Sequence, residues 1–551
     1  MHTPGTIRIA VIGAGPRGLG ALEALAARLP QTGTTVEVEI FDPDPHPGAG
    51  PNFDPTQSPL ALLNLPVRSV SLRQREGLAQ PFPDFAQWRN GADDETFPPR
   101  ADLGAYLNAR LTHLRATAPA GMRLRLRDIR VDRIDPATPG WRIAAGGTVF
   151  GPFDEVLIAP GQPDTAPDPQ IARWRDHADR HGLDLLPAYP DAALRAAAEG
   201  WAGRKVAVRG LGLSTLDVLR FLTLGLGGRI EDGRYIASGR EPARIFPFSL
   251  DGQPPMPKPA DAAQDARYDP LPAETDAFET ALARAIDSPA KTALPPIAEA
   301  LRRPAERILQ RVGGDVAAAR PWLETECTRP GTQETRAPAD ALAAGIAMAR
   351  GQQVPSAGYV IGQVWRKWQD AFRRGFNTGG CAPDTAAALI GFDEGLKRYS
   401  YGPPVSSAEE LRTLIAADRV QLCVVDDPDI CLVPEGWQLQ DGTATTCVSA
   451  MVDAVLPAPA LEGLAAPALA ALRDGGVLSP VADGLGARTD PDAQVIGTDG
   501  AARAGLCLLG RPALGSTAAV DSIHDCFGAS ADRWAAGVVH RADARRPASV
   551  A

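Results

Sequence analysis

A strand–glycine turn–helix unit at "IRIAVIGAGPRGLGALEAL" (7–25), a second at "GRKVAVRGLGLSTLDVLRFLT" (203–223), and helical periodicity from about 270 to 420 predict an α/β protein. Two Rossmann-like dinucleotide-binding domains are expected, the first interrupted by the second, plus a mostly helical insert. The length agrees. At 551 residues the chain exceeds one ordinary core, and about 100–200 residues per domain gives two to four units.

The elements follow in order. "IRIAVIGAG" reads as a strand and glycine turn, and "LGALEALAARL" carries apolar residues at helical spacing. "TVEVEIFD" alternates Val36, Val38 and Ile40 before Asp42, as a strand does. A Pro/Gly-rich loop leads to "LALLNLPVRSVSL", apolar around Asn64, and residues 101–115 read as a helix. "RLRLRDIRVDRID" and "WRIAAGGTVF" are expected as strands of one small antiparallel sheet, and "FDEVLIAPG" as a buried strand ending in a turn. After the second unit, "FPFSLDGQPPMPKPADAAQD" is a Pro-rich separator. Within the helical region Trp365, Trp368 and Phe372 fall at i, i+3 and i+7, a spacing expected of a core stripe. Strands return at "RVQLCVVDD", "CVSAMVDAVLPAP" and "AGLCLLGRP", before a helix-like terminus.

Composition narrows the function. Hydrophobic residues at 44% with 22% charged suit a globular chain. A net charge of −10 disfavours nucleic acid or an anionic membrane as the main partner. No run of about 18 apolar residues and no basic-then-apolar leader is present, so a cytoplasmic protein without a membrane span is expected. Seven scattered cysteines without a C-x-x-C pair fit free thiols better than a disulfide framework or zinc knuckle. His177 and His181 have metal-ligand spacing but no third ligand nearby, so a solvated polar helix is expected and no metal site. "VVDDPD" lacks a calcium loop's glycine spacing and reads as a turn. No Gly-x-Ser-x-Gly elbow supports hydrolase chemistry.

The chemistry-bearing motifs are the two glycine turns. In Gly13-Ala14-Gly15-Pro16-Arg17-Gly18, Gly13 permits the tight turn and Gly15 admits a pyrophosphate to the helix N-terminus. Gly18 lets the helix lie close to the strand, and Asp42, 24 positions later, suits a ribose hydroxyl pair. In Gly210-Leu211-Gly212-Leu213-Ser214-Thr215 the third glycine is replaced by Thr215, so the helix is expected slightly further from its strand. That turn is a second nucleotide site or a vestigial fold element. Two working sites point to a flavin, FAD, plus a nicotinamide, NAD(P)H, with hydride passing between them. The expected domains are 1–162 (FAD-binding, first part), 163–265 (NAD(P)-binding), 266–430 (helical insert, the region to hold the substrate) and 431–551 (return to the FAD domain).

With both turns placed, the sequence resembles the FAD/NAD(P)-binding family of two-dinucleotide flavoproteins, and within it the flavin-dependent N-hydroxylating monooxygenases of small amino acids. "VIGAGPRGLGALE" resembles the family's FAD fingerprint. "GAGPNFDPTQSPLALLNLP" resembles its glycine-then-"LLN" segment beneath the flavin, with Asn64 the matching Asn. "LPAYPDAALRAA", "GLGLSTLDVL", "ASGREPARI" and "YSYGPP" resemble later segments, and "VDAVLPAP" a strand returning to the FAD domain. The resemblance implies N-hydroxylation of a small amine or amino acid by dioxygen through a C4a-peroxyflavin. That scheme asks little of acid–base side chains, and no catalytic residue is assigned. A reductase or dehydrogenase without oxygen insertion, or a non-catalytic nucleotide-binding protein, remain the alternatives. Arg68 or Arg73 is a candidate grip for a substrate carboxylate.

Three departures matter. Where NADPH-using relatives carry paired arginines, this chain has Leu250 and Asp251, so NADPH is not expected to be strongly preferred unless Arg240 or Lys258 substitutes. Pro160 stands where Thr is usual in "VLIAPG", and Thr215 alters the second fingerprint. The sequence leaves substrate, pathway and oligomeric state open.

Overall fold

The computed structural model describes residues 6–545, apart from Arg73, Ala79, Ala92 and residues 378 and 379. The first unit opens with β1 (Thr6–Ile12), which buries Ile7, Ile9 and Val11, then the helix Pro16–Arg28 and β2 (Thr35–Phe41). A helix, Arg100–Thr117, leads to β3 (Met122–Arg127). An antiparallel excursion of β4 (Val131–Pro136), β5 (Trp141–Ala145) and β6 (Thr148–Phe153) precedes β7 (Glu155–Ile158). The second unit supplies β8 (Asp184–Pro187), β9 (Lys205–Arg209) and the helix Leu213–Leu222. A hairpin of β10 (Arg229–Glu231) and β11 (Arg234–Ile236) follows, then β12 (Arg244–Ser249).

Helices between Pro272 and Ala416 separate β12 from β13 (Cys423–Val424). Then come an antiparallel trio, β14 (Ile430–Val433), β15 (Gly436–Asp441) and β16 (Ala444–Val448), and β17 (Ala450–Asp453). β18 (Gln494–Ile496), β19 (Ala502–Leu508) and the helix Ala529–Ala544 complete the described chain.

Two mainly parallel sheets organise these elements. The first has the order β18-β19-β7-β1-β2-β3, parallel except at β18–β19; the second, β13-β12-β9-β17-β8, is parallel throughout. In each sheet the order reverses at the strand that enters a glycine turn, β1 in the first and β9 in the second. Open α/β sheets bind ligands in the crevice at such a switch point. The interleaved two-unit α/β fold expected from the two turns is therefore the fold observed.

Three readings need correction. "RLRLR" was expected in the small antiparallel sheet, yet β3 pairs parallel with β2 from Val36↔Met122 to Phe41↔Arg127. Its Leu/Arg alternation suits a half-buried edge strand of either sheet, and only β4–β6 form the antiparallel set. The "VDAVLPAP" strand was expected to return to the first unit, but β17 lies between β9 and β8 in the second sheet. A short run buried on both faces has no periodicity that names its sheet. The return is made by β19, beside β7. Finally, His177 is not solvated: it is 3% exposed, its Nε2 lies 3.1 Å from the Gly436 carbonyl, and its ring packs on Trp437. Trp174, one turn earlier, buries the same helix face.

The aromatic stripe and the "VVDDPD" turn match expectation. Trp365, Trp368 and Phe372 are buried, with Trp368 stacked on Phe278 at 4.5 Å. "VVDDPD" forms a turn whose Asp427 accepts from Arg173 and Gln170. All seven cysteines are free. Among the described residues no helix is long and apolar enough to cross a membrane, and no group of three or more His, Cys, Asp or Glu side chains could hold a metal ion.

Candidate functional site

The first glycine turn separates into two kinds of glycine. Gly13 has φ +94°, and a Cβ there would meet the Ala159 carbonyl at 2.3 Å, where "VLIAPG" leaves β7. A Cβ on Gly18 would lie 2.2 Å from the Gly13 carbonyl. Packing alone requires both residues to be glycine. Gly15 is different: its φ is −60°, and the nearest atom to a Cβ would be Gly50 Cα at 3.6 Å, an ordinary contact. No contact among the described residues demands a glycine there.

Gly15 caps the helix Pro16–Arg28 with no side-chain hydrogen bond, and Pro16 occupies the first turn. Unspent backbone N–H groups and the helix dipole therefore face the turn's open side. Such a turn fits a pyrophosphate. The loop at Gly48–Gly50 crosses beside it, the Gly48 N–H donating to the Ala14 carbonyl at 2.7 Å.

Asp42 follows β2 as expected, but its carboxylate is engaged with backbone. Oδ2 accepts from the Ala14 N–H at 2.5 Å and Oδ1 from the Asp44 N–H at 2.9 Å. Burial pushes its carboxyl above the usual range, against the pull of those two bonds. Each oxygen keeps a lone pair that a ribose hydroxyl could use. Arg17, read from the sequence with the cofactor residues, is 6% exposed and committed elsewhere. Its guanidinium pairs with Asp525 at 2.7 Å and donates to the Val520 carbonyl at 3.0 Å. It ties the fingerprint helix to the chain's C-terminal part.

The second turn repeats the contrast. Gly210 has φ +102°, and its N–H donates to the Phe248 carbonyl at 2.9 Å, joining the turn to β12. Gly212, with φ −82°, caps the helix Leu213–Leu222 without a side-chain bond, and no described atom lies within 4 Å of a Cβ placed there. The Thr215 hydroxyl donates to the Gly210 carbonyl at 2.8 Å, so the residue replacing the third glycine braces the turn. Ser214 lies in the helix's first turn, half-buried.

Asn64 brings the units together. Its carbonyl accepts from Lys258 Nζ at 2.5 Å, and it lines a small open cleft with Arg100, Leu213, Asp217 and Arg220. Lys258, named from sequence as a stand-in phosphate cation, is 8% exposed and makes no carboxylate pair among the described residues. Burial, then the nearby Arg366, push its ammonium down to about 7. The other candidate stand-in, Arg240, pairs with Glu199 at the surface. Arg68 donates from Nε to Glu95 at 2.9 Å and from Nη1 to the Ser69 hydroxyl at 3.3 Å; Arg73 lies outside the described residues.

Sequence reading missed the network in that cleft. The buried Asp217 accepts from Arg100 at 2.7 Å, from the Tyr189 hydroxyl and from Arg220 at 3.5 Å. Arg220 reaches onward to Glu410 at 2.7 Å and the Ser407 hydroxyl at 2.6 Å, so both units and the insert share one chain of charges. The signal was present: Asp217 and Arg220 are the two charged residues of the fingerprint helix Leu213–Leu222, at i, i+3. Replacing Tyr189 with phenylalanine removes one donor to a buried carboxylate. It is expected to cost about 1–3 kcal/mol in chemical denaturation, and an unchanged midpoint would rule out a structural role for that bond.

Comparison with known proteins agrees with this architecture. Residues 10–163 match the family described as FAD-NAD(P)-binding. The nitrosuccinic acid synthase of Aspergillus oryzae is 32% identical over 267 residues, covering 45% of this chain and 40% of that protein. An L-aspartate N-monooxygenase (nitrosuccinate-forming) of Streptomyces davaonensis is 30% identical over 291 residues, covering 45% and 44%. The chain thus matches less than half the length of these curated relatives. Among solved structures, the FAD-bound cadaverine monooxygenase of the desferrioxamine pathway from Erwinia amylovora superposes with a TM-score of 0.50 at 12% identity, covering 98% of this chain and 94% of that one. Residues 10–163 thus match the FAD-NAD(P)-binding family, within a two-unit α/β fold similar to that of this FAD-bound structure.

Proposed function

We propose that the protein is an FAD- and NAD(P)H-dependent monooxygenase that N-hydroxylates a small amine or amino acid, an acidic amino acid such as aspartate first among them. One observation carries the reading: each unit holds, at its switch strand, a glycine (Gly15 or Gly212) that its own packing does not require, at a helix N-terminus no side chain caps. The names of the two curated relatives support the choice of substrate.

In this reading the first turn holds FAD, with Asp42 towards the adenosine ribose, and the second holds NAD(P)H. Bound there, FAD supplies electron transfer from NAD(P)H to dioxygen. The balanced reaction takes the amine, dioxygen, NAD(P)H and a proton to the hydroxylamine, NAD(P)+ and water. The protein's share is binding and exclusion of water. The Asn64 carbonyl, fixed by Lys258, and the charge network at Asp217 set the first unit's "LLN" segment against the second fingerprint helix. The seven free thiols support a reducing, cytoplasmic setting.

The test is purified protein loaded with FAD, supplied with NADH or NADPH and a panel of amines and amino acids including L-aspartate. Nicotinamide oxidation that rises with one substrate, and a product heavier by one oxygen atom, is the expected result. Hydrogen peroxide as the sole oxygen product across the panel would make the protein a flavin reductase or oxidase. A protein that takes up no FAD would overturn both readings.

A further inference from the structure

In a dinucleotide-binding unit the adenosine ribose sits beyond the end of the next strand of the same sheet after the fingerprint helix. Here, past the β10–β11 hairpin, that strand is β12, which pairs with β9 and which Gly210 joins to the second turn through the Phe248 carbonyl. The residues after it are Leu250, 72% exposed, and Asp251. Asp251 Oδ1 accepts from the Ser249 hydroxyl at 3.1 Å and the Gln253 N–H at 3.0 Å.

Its other oxygen pairs with Arg398, a residue of the insert helix Pro383–Ser400, about 150 positions along the chain. Arg398 is held to this loop three ways. The Met256 N–H donates to the Arg398 carbonyl at 2.8 Å, Nη1 donates to the Gln253 carbonyl at 3.0 Å, and the guanidinium carries the ion pair. Its Nε is buried with no hydrogen-bond partner among the described residues.

We infer that Arg398 is the residue that reads the 2′-position of the nicotinamide cofactor, its guanidinium taking the 2′-phosphate of NADPH while Asp251 accepts from the ribose hydroxyls of NADH. The inference rests on the second turn being a nucleotide site, as proposed above. Asp251 alone repels a 2′-phosphate; with Arg398 against it the local charge is neutral, and each Nη keeps a second hydrogen to donate to a phosphate. The cation that the turn itself lacks is supplied by the insert. Both cofactors are therefore accepted, with neither favoured by as much as about 100-fold.

Calorimetric titration of the full chain with 2′,5′-ADP and with 5′-AMP separates the possibilities without turnover. Wild type is expected to bind both. Arg398→Ala is expected to weaken 2′,5′-ADP about tenfold or more while changing 5′-AMP less than about threefold, and Arg398→Lys to recover part of the loss. Asp251→Asn is expected to tighten 2′,5′-ADP, because it removes the opposing charge and leaves Arg398 unpaired. Equal losses for the two ligands in both Arg398 variants, or no loss in either, would overturn the assignment. A wild-type chain that binds neither nucleotide overturns the second site itself, whereas one that binds 5′-AMP alone overturns only the role of Arg398.

Discussion

Gly15→Leu is expected to yield a folded protein that purifies without flavin colour, its affinity for added FAD lowered by more than about 1,000-fold, or about 4 kcal/mol. The three glycines of the first turn make this a controlled comparison. A methyl on Gly13 or Gly18 would strike a carbonyl oxygen at 2.3 or 2.2 Å, so both residues hold strand, turn and helix together. Gly18→Ala should therefore lower stability by about 1–3 kcal/mol, and its loss of flavin would be ambiguous. A methyl on Gly15 meets nothing nearer than 3.6 Å. Gly15→Ala should unfold at the wild-type denaturant midpoint and still bind FAD at least about tenfold more weakly, since even one methyl fills the approach of a pyrophosphate. The leucine then blocks it. Absorbance at flavin wavelengths after purification, with a titration of added FAD, reads the result. A fully yellow Gly15→Leu protein would remove the first turn from the cofactor site.

The same comparison shows what a fingerprint string can reveal. From the sequence, the three glycines of the first turn were given separate roles by analogy of spacing, and Gly13 and Gly18 perform the packing roles assigned to them. The roles that concern neighbours distant in the chain were not legible. Arg17 sits inside the first motif, yet its partner Asp525 lies more than 500 residues away. Nothing local distinguishes a phosphate-facing arginine from one that clamps a C-terminal segment. The strand at Ala450–Asp453 failed for a related reason: sheet membership is set by register with β8 and β9, and a four-residue buried run carries no record of it. Periodicity did find the insert, because about ten helical segments in a row leave a long 3.6-residue signal. It could not find that the insert interrupts the second sheet between the neighbouring strands β12 and β13.

That insertion point has a physical consequence. A chain that leaves β12 at Ser249 and returns at Cys423 must lay its first and last turns over the second fingerprint. Lys258 and Arg398 both arrive by this route, one onto the Asn64 carbonyl and the other onto Asp251. The chain between β12 and β13 thus brings a cation to each unit, Lys258 from the Pro-rich separator and Arg398 from the helical insert, although the insert's interior is apolar and aromatic. Of the two cations named from sequence as substitutes for a missing arginine pair, Arg240 pairs with Glu199 at the surface and Lys258 lies on the Asn64 carbonyl of the first unit; the cation found against Asp251 is Arg398.

Lys258 carries the second large expectation, a dependence of stability on pH. Its ammonium is buried, meets a carbonyl rather than a carboxylate, and titrates near 7 instead of its ordinary 10.5. The depressed value means that the unfolded chain holds this proton more tightly than the folded one. Between pH 7 and about 10 the unfolded state therefore binds more protons, and stability rises with pH by up to about 1.4 kcal/mol per unit. Below pH 7 both states are protonated and the full burial penalty, of order several kcal/mol, is in force. Above about 10.4 neither is protonated and the penalty is gone. Lys258→Met deletes the titrating group, so the measured quantity is the difference between wild type and variant, in which every other titrating side chain cancels. Denaturation midpoints at pH 7, 8, 9 and 10, each protein in the same flavin state, should show wild type gaining on the variant at each step. Parallel curves would mean that the ammonium stays charged across this range, and the pocket around Asn64 would then have to hold a permanent cation. That outcome would move Lys258 from a lysine poised between two charge states to a fixed positive charge beneath the "LLN" segment, with a different electrostatic field at the proposed flavin site.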